Sequence, residues 1–226
     1  REVLNGLLDA PLSDEDWPFM SCGEVTLARV KGRLFRISFS GEHGYEIAVP
    51  SRYGDALFRA LVSRAEGLGG GPYGMEALNV LRLEKGFITH AEIHGRVTAF
   101  DIGMARMVST KKDCIGKTAA AREGLNGPER EQLVGLRPAG EVKMLVAGAH
   151  LFNADDPAVR VNDQGYVTSA GYSPTLETNI GLGFLRNGRA RHGEVVRMVD
   201  HLNGVETLCE VCDPVQLDPE GGRMRG

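Results

Sequence analysis

The chain of 226 residues is poor in the features that mark several large classes of protein. Only four cysteines are present and they are scattered, which argues against a disulfide scaffold and predicts a reducing, cytoplasmic environment. The 26 basic residues form no run or stripe and are outnumbered by 30 acidic ones, which argues against nucleic acid or an anionic membrane as a partner. No apolar run approaches the ~20 residues needed to span a bilayer.

Recognisable signatures of nucleotide, metal and nucleophilic sites are also missing. The glycine-rich residues 67–72 follow a predicted helix rather than a strand and lack a following Gly-Lys-Ser/Thr, so no phosphate-binding loop is predicted. Cys209 and Cys212 have metal-ligand spacing, but the sequence around them alternates like a strand, which would point the two thiols to opposite faces. His90 and His94 lie beyond the predicted end of a helix, with no carboxylate-rich set nearby. We therefore predict no metal site and no catalytic side chain in this chain.

The periodicity of apolar residues predicts an α+β fold in two domains, residues 1–128 and residues 129–226. After an opening helix, the first domain would contain a hairpin turning at Lys31-Gly32 and these elements: strands at residues 25–30, 34–39 and 45–49, and helices at residues 51–66 and 73–85. The second domain would be a small antiparallel β-barrel, with strands at residues 133–136, 159–161, 166–170, 180–184, 195–199 and 205–211. Because helical spacing is already present at Arg1, we expect a fragment of a longer polypeptide.

Residues 35–49 carry the strongest local signal. Two alternating stretches flank a tight corner, in which Glu42 lies between Gly41 and Gly44. Glycines allow a sharp turn and the close approach of a ligand, and a carboxylate fixed there can accept two parallel N–H groups. The amino-amidine edge of a pterin offers such a donor pair. From spacing alone the alternative stays open that this is a hairpin with a solvated glutamate at its tip. We expect His43, in the turn, to be exposed and not catalytic.

Arg82 is a second candidate, because it interrupts the apolar run of a predicted helix. Arginine is suited to bidentate capture of a carboxylate, such as the tail of an acidic ligand. The alternative from residue type alone is an internal salt bridge with Glu84 or Glu76.

Several stretches together resemble the aminomethyltransferase family, which includes the glycine-cleavage T-protein. Residues 38–47 (Ser-Phe-Ser-Gly-Glu-His-Gly-Tyr-Glu-Ile) resemble the folate-binding corner of that family. Four further stretches match in the same order along nearly the whole chain, at residues 73–86, 113–117, 133–136 and 165–183. Three more are similar to one branch of the family, the alpha subunits of heterotetrameric sarcosine oxidases, at residues 17–20, 108–113 and 213–221.

The resemblance implies a tetrahydrofolate site. In the family the corner glutamate, here Glu42, holds the pyrimidine edge of the pterin, and an aromatic residue seven positions earlier, here Phe35, packs on the ring. Gly41 and Tyr45 belong to the same candidate site, and Arg82 matches an arginine that meets the glutamyl tail. The aspartate thought to steer the folate N5 in T-proteins lies upstream, in a part of the domain that this chain is not expected to contain.

By the same likeness, the chain would be the C-terminal, folate-binding part of a sarcosine oxidase alpha subunit. It would capture the one-carbon unit from the oxidative demethylation of sarcosine as 5,10-methylenetetrahydrofolate, and the isolated fragment would be inactive. FAD, FMN and NAD would bind elsewhere in the complex, whose beta, gamma and delta subunits are the expected partners. Two alternatives stay open: an aminomethyltransferase of the glycine-cleavage type, and a non-catalytic folate-binding or interaction module.

Overall fold

The computed structural model describes residues 1–226, which form two compact units. The first consists of Arg1–Leu81 together with Glu220–Gly226, and the second of Arg82–Pro219. The first unit mixes helices with a small sheet and the second is built on a β-barrel, which confirms the predicted α+β fold class. The domain boundary placed at residue 128 stays a prediction, because a compact unit and a sequence domain are different divisions of a chain.

The first unit is built on a three-stranded antiparallel sheet in the order β1-β2-β3. Its strands are β1 (Cys22–Leu27), β2 (Val30–Phe35) and β3 (Glu46–Ala48). Leu4, Leu12 and Leu34 form its buried core. The α-helices of the whole chain are α1 (Glu2–Asn5), α2 (Gly54–Gly67), α3 (Met75–Glu84), α4 (Lys117–Ala120) and α5 (Gly222–Arg225). The longest has 14 residues, and none is long and apolar enough to cross a membrane.

The hairpin between β1 and β2 turns at Ala28 and Arg29, so the turn predicted at Lys31-Gly32 is wrong. Both turn residues have positive φ, 45° and 71°, as a two-residue turn that matches the twist of the strands requires. Gly32 lies inside β2, where a side chain would meet the carbonyl oxygen of Ala48 at 2.8 Å. This glycine therefore marks a close approach of two strands and not a turn.

The second unit contains a closed, six-stranded antiparallel barrel in the order β4-β7-β6-β5-β8-β9. Its strands are β4 (Glu131–Pro138), β5 (His150–Asn153), β6 (Gly165–Ser173), β7 (Thr178–Arg186), β8 (Val195–Asp200) and β9 (Val205–Cys212). All six contribute apolar side chains to one buried cluster. Closure pairs each strand on both sides, which removes the exposed edges that an open sheet would present. The predicted small antiparallel barrel is confirmed.

One strand of that barrel lies elsewhere than predicted. Residues 159–161 overlap a short 3-10 helix at Arg160–Asn162, and the missing strand is β5. Val159 and Val161 are 50% and 85% exposed, so their β-branched side chains find no core that would favour a strand. Leu151 and Phe152 in β5 are buried, but an apolar pair this short gives no periodic signal.

Candidate functional site

The candidate site is the connection between β2 and β3, residues 36–45, called the corner below, and it lies entirely within the first unit. Gly41 has a φ of 79°, in the left-handed region that favours glycine. At Gly44 a side chain would come within 3.0 Å of the carbonyl oxygen of Ile37. Both glycines are therefore required by the local backbone path, and they bring the chain into a tight loop around Glu42.

Glu42 lies at the tip of the corner, and its side chain is 46% exposed. Its backbone N–H donates to the hydroxyl of Ser40 at 3.3 Å. Its carboxylate Oε1 accepts from Nη1 of Arg223 in α5 at 3.1 Å. The two residues are 181 positions apart in the sequence, so no local pattern could have predicted this contact. A half-exposed ion pair of this kind contributes on the order of 0–1 kcal/mol, so the carboxylate stays available to a ligand.

Tyr45 and Phe35 lie at the two ends of the corner. Tyr45 packs against the Leu34 core, and its hydroxyl lies 3.1 Å from Nε2 of His43. Phe35 is the last residue of β2 and is half-buried. Because side chains alternate along a strand, Phe35 lies on the face of the sheet opposite Leu34. Both aromatic residues therefore flank the loop that carries Glu42.

Sequence reasoning missed Arg36 and expected His43 to be exposed. In the structure Arg36 is completely buried, and its Nη2 lies 3.0 Å from Nδ1 of a half-buried His43. The burial of Arg36 could have been predicted from the sequence, because Arg36 and Leu34 are two residues apart and alternation puts both side chains on the inward face. The expectation for His43 is wrong because its ring is held between a buried cation and the Tyr45 hydroxyl.

Arg82 lies in the second unit and is 3% exposed. Its Nη1 lies 3.5 Å from Oε2 of Glu92, and its Nη2 donates to Oγ of Ser169 at 2.7 Å. The Ser169 hydroxyl donates in turn to Oε1 of Glu92 at 2.7 Å. The internal salt bridge that was the alternative for Arg82 therefore exists, but its partner is Glu92 and neither Glu84 nor Glu76.

Both charges of this buried pair are maintained by their surroundings. Burial lowers the pKa of Arg82, while Glu92 acts to raise it. Burial would raise the pKa of Glu92, but hydrogen bonds from Thr168, Ser169 and Thr89 and the charge of Arg82 hold it below its ordinary value. Arg82 can therefore contact a ligand carboxylate only by giving up part of this network.

The two cysteines of β9 lie on a strand, as the alternation predicts. Burial raises the pKa of Cys209 to about 12 and that of Cys212 to about 11. Thiols with such pKa values are almost wholly protonated at neutral pH and are poor nucleophiles and metal ligands. No group of three or more His, Cys, Asp or Glu side chains in the chain is arranged to hold a metal ion.

Two family models match the chain. One, described as GCVT N-terminal domain, matches residues 1–112, which include the corner. The other, described as glycine cleavage T-protein C-terminal barrel domain, matches residues 131–218, which include the whole barrel.

Curated relatives fall into two groups. Sarcosine oxidase subunit alpha of Rhizobium meliloti (strain 1021) is 44% identical over 99% of this chain and 23% of its own length. The corresponding subunit of Corynebacterium sp. (strain P-1) is 39% identical over 100% of this chain and 24% of its own length. Aminomethyltransferase of Mycolicibacterium paratuberculosis is 30% identical over 88% of this chain and 52% of its own length. The chain thus spans about a quarter of the first group and about half of the second.

A solved structure agrees with this grouping. The glycine cleavage system aminomethyltransferase T from Bartonella henselae matches with a TM-score of 0.73 and 25% sequence identity. The match covers 92% of this chain and 55% of that one, so it includes most of both units.

Proposed function

This chain belongs to the glycine-cleavage T-protein (aminomethyltransferase) family, and from that premise we propose that its corner binds tetrahydrofolate. In this proposal Glu42 holds the pyrimidine edge of the pterin, and Gly41 leaves room for the ring. Phe35 packs on the bound ring, and Tyr45 belongs to the same site. The family models and the aminomethyltransferase relatives support folate use in general.

The observation that carries the proposal is a half-exposed carboxylate on a loop whose backbone requires glycine. Such a carboxylate can accept two parallel N–H groups, and the amidine edge of a pterin supplies two. The present partner of Glu42 is the guanidinium of Arg223, which is also a planar group with several N–H donors. This contact supports the capacity of Glu42 to receive a flat, donor-rich edge.

The sarcosine oxidase relatives extend the proposal to a larger enzyme. We propose that the chain is the folate-binding C-terminal part of an alpha subunit, in which sarcosine is demethylated oxidatively at a flavin outside this chain. FAD, FMN and NAD are assigned to other parts of the complex, together with the beta, gamma and delta subunits. Four unpaired cysteines support a reducing, cytoplasmic setting. The isolated chain would lack the oxidation site and would be inactive.

The part of this chain in the reaction is to bind and orient. The folate N5 is the nucleophile toward the incoming one-carbon electrophile, and 5,10-methylenetetrahydrofolate is the product. Correct orientation of bound reactants can supply up to ~7–11 kcal/mol of a barrier, so a firmly held pterin edge matters for the rate. Arg82 remains the proposed contact for the glutamyl tail, and it would have to exchange part of its contact with Glu92 for the ligand.

The complete enzyme allows a test in which two products of one reaction are measured together. Sarcosine oxidation is followed by oxygen uptake, and the released carbon is measured as 5,10-methylenetetrahydrofolate and as free formaldehyde. We expect Glu42→Ala to lower the ratio of 5,10-methylenetetrahydrofolate to free formaldehyde by roughly tenfold or more, because a hydrogen bond to a charged group contributes about 1.5–3 kcal/mol. Oxygen uptake should be unchanged. Glu66→Ala, at an exposed carboxylate in α2 of the same unit, is the matched control, and an unchanged ratio in Glu42→Ala would contradict the proposal.

A second candidate function is one-carbon transfer of the glycine-cleavage type. It is favoured by the aminomethyltransferase that is 30% identical over 88% of the chain. In that case the complete protein would form methylenetetrahydrofolate without oxygen uptake. A non-catalytic module would bind folate without oxygen uptake and without forming methylenetetrahydrofolate.

A further inference from the structure

The first residue of the corner is a fully buried arginine. Arg36 follows β2 directly, and its guanidinium carbon lies 5.6 Å from the centre of the Phe19 ring and 5.3 Å from that of Tyr45. Its hydrogen-bond acceptors are the carbonyl of Gly44 at 3.3 Å, the carbonyl of Arg225 at 3.2 Å and Nδ1 of His43 at 3.0 Å. None of these acceptors carries a negative charge, so dipoles and aromatic faces stabilise this buried cation.

The protonation state of His43 follows from these contacts. An arginine can only donate, so Nδ1 of His43 accepts from Arg36 and carries no hydrogen. The ring is therefore neutral with its hydrogen on Nε2, which donates to the hydroxyl of Tyr45 at 3.1 Å. In this way His43 links a residue before Glu42 to a residue after it.

We propose that Arg36 and neutral His43 are positioning residues that hold the backbone around Glu42 in the geometry that receives the pterin edge. This inference rests on the proposed function and adds to it the requirement for an uncharged acceptor at position 43. Protonation of His43 would remove that acceptor and place a second cation beside the buried one, so the link would break. Because Arg36 also donates to the carbonyl of Gly44, the backbone on the C-terminal side of Glu42 would lose its anchor.

The charged groups around His43 come from three parts of the first unit. Burial lowers the pKa of His43, and so do the charges of Arg36 and of the Arg1 guanidinium, whereas Asp14 acts to raise it. His43 is therefore neutral at neutral pH and titrates below its ordinary value of 6.5. The neutral form is the one that holds the corner, so affinity should be present at neutral pH and lost as the pH falls through the lowered pKa.

The test is the pH dependence of folate affinity in the complete protein, with 5-formyltetrahydrofolate as the probe, over roughly pH 5 to 8. For the unaltered protein we expect the dissociation constant to rise toward acid by up to about tenfold per pH unit. His43→Asn offers an acceptor oxygen to Arg36 but does not titrate, so its affinity should stay within about threefold and should not change with pH. His43→Ala lacks the acceptor and should bind roughly tenfold or more weakly at every pH.

Two results would overturn the inference. One is an acid loss in His43→Asn equal to that of the unaltered protein, because another group would then be titrating. The other is full affinity in His43→Ala. Glu42→Gln distinguishes a failure of the proposed folate site from a failure of the positioning role. If Glu42→Gln binds the probe as tightly as the unaltered protein, the proposed folate site itself has failed. If Glu42→Gln loses affinity while the His43 variants behave as the unaltered protein does, only the positioning role has failed.

Discussion

Replacing Arg82 by alanine would leave Glu92 fully buried without its counter-ion. Removing one partner of a buried ion pair typically costs about 3–5 kcal/mol of folding free energy. Glu92 would keep the Thr89 N–H at 2.8 Å, the Thr89 hydroxyl at 3.1 Å and the Ser169 hydroxyl at 2.7 Å. Because these donors still stabilise the carboxylate, we expect a loss near the lower end of the range, about 3 kcal/mol.

The loss should appear in the unit that contains the barrel. Ser169 lies in β6, so amide hydrogen exchange of β6 and β7 reports the opening of the strands attached to this network. A loss of about 3 kcal/mol corresponds to exchange that is faster by on the order of a hundredfold. The double variant Arg82→Met with Glu92→Gln should recover more than half of the loss, since neither position then carries a buried charge.

The pH dependence of this loss has a definite sign. In the unaltered protein the pKa of Glu92 is held below 4.5, so its contribution to stability is complete above that value and is lost as the pH falls through the lowered pKa. Arg82→Ala removes one of the causes that lower the pKa of Glu92, so that pKa should be higher in the variant than in the unaltered protein. The difference between the two proteins should therefore shrink as the pH falls through the pKa of Glu92 in the variant, where that carboxylate is the first of the two to be neutralised. A loss of folding free energy below about 1 kcal/mol that is independent of pH would refute this reasoning. If Arg82→Ala then weakened the affinity only for folates with a glutamyl tail, Arg82 would be assigned to the ligand.

Two further outcomes follow from the contacts of single side chains. Arg223→Ala removes the half-exposed partner of the Glu42 carboxylate, so the free energy of unfolding should change by less than about 1 kcal/mol. The affinity for a reduced folate, measured by calorimetry, should not fall. A severalfold weaker affinity would mean that Arg223 is part of the site. The thiol of Cys209, with a pKa of about 12 and no exposure, should react with a disulfide reagent at about pH 8 only after the barrel unfolds; rapid labelling of the native protein at Cys209, located by peptide mapping, would contradict its burial.

The sequence allowed the barrel to be predicted because its strands alternate and are separated by Gly, Asn and Asp. β5 could not be predicted, since its burial depends on pairing with β6 and β8, which are distant in the sequence. The predicted 31–32 turn failed for a different reason. A glycine that allows two strands to approach closely gives the same sequence signal as a glycine in a turn, and only the register separates them.

The corner shows the same limit at the level of side chains. Gly41, Glu42 and Gly44 are adjacent in sequence, so their chemistry could be recognised directly. The partners that hold them are distant or ambiguous: the carbonyl of Arg225 and the guanidinium of Arg223 come from the other end of the chain. An alternating stretch indicates which face a residue occupies but not which acceptor satisfies it.

The central claim is that Glu42 recognises a reduced folate, and calorimetric titration with 5-formyltetrahydrofolate tests it most directly. The complete protein, Glu42→Gln and the control Glu66→Ala, at an exposed carboxylate in α2, would be titrated at the same pH and salt concentration. We expect saturable binding to the complete protein and to Glu66→Ala. The affinity of Glu42→Gln should be roughly tenfold weaker or more, because its amide can no longer accept both donors as a charged group. Equal affinity in all three proteins would contradict the account and place the folate elsewhere.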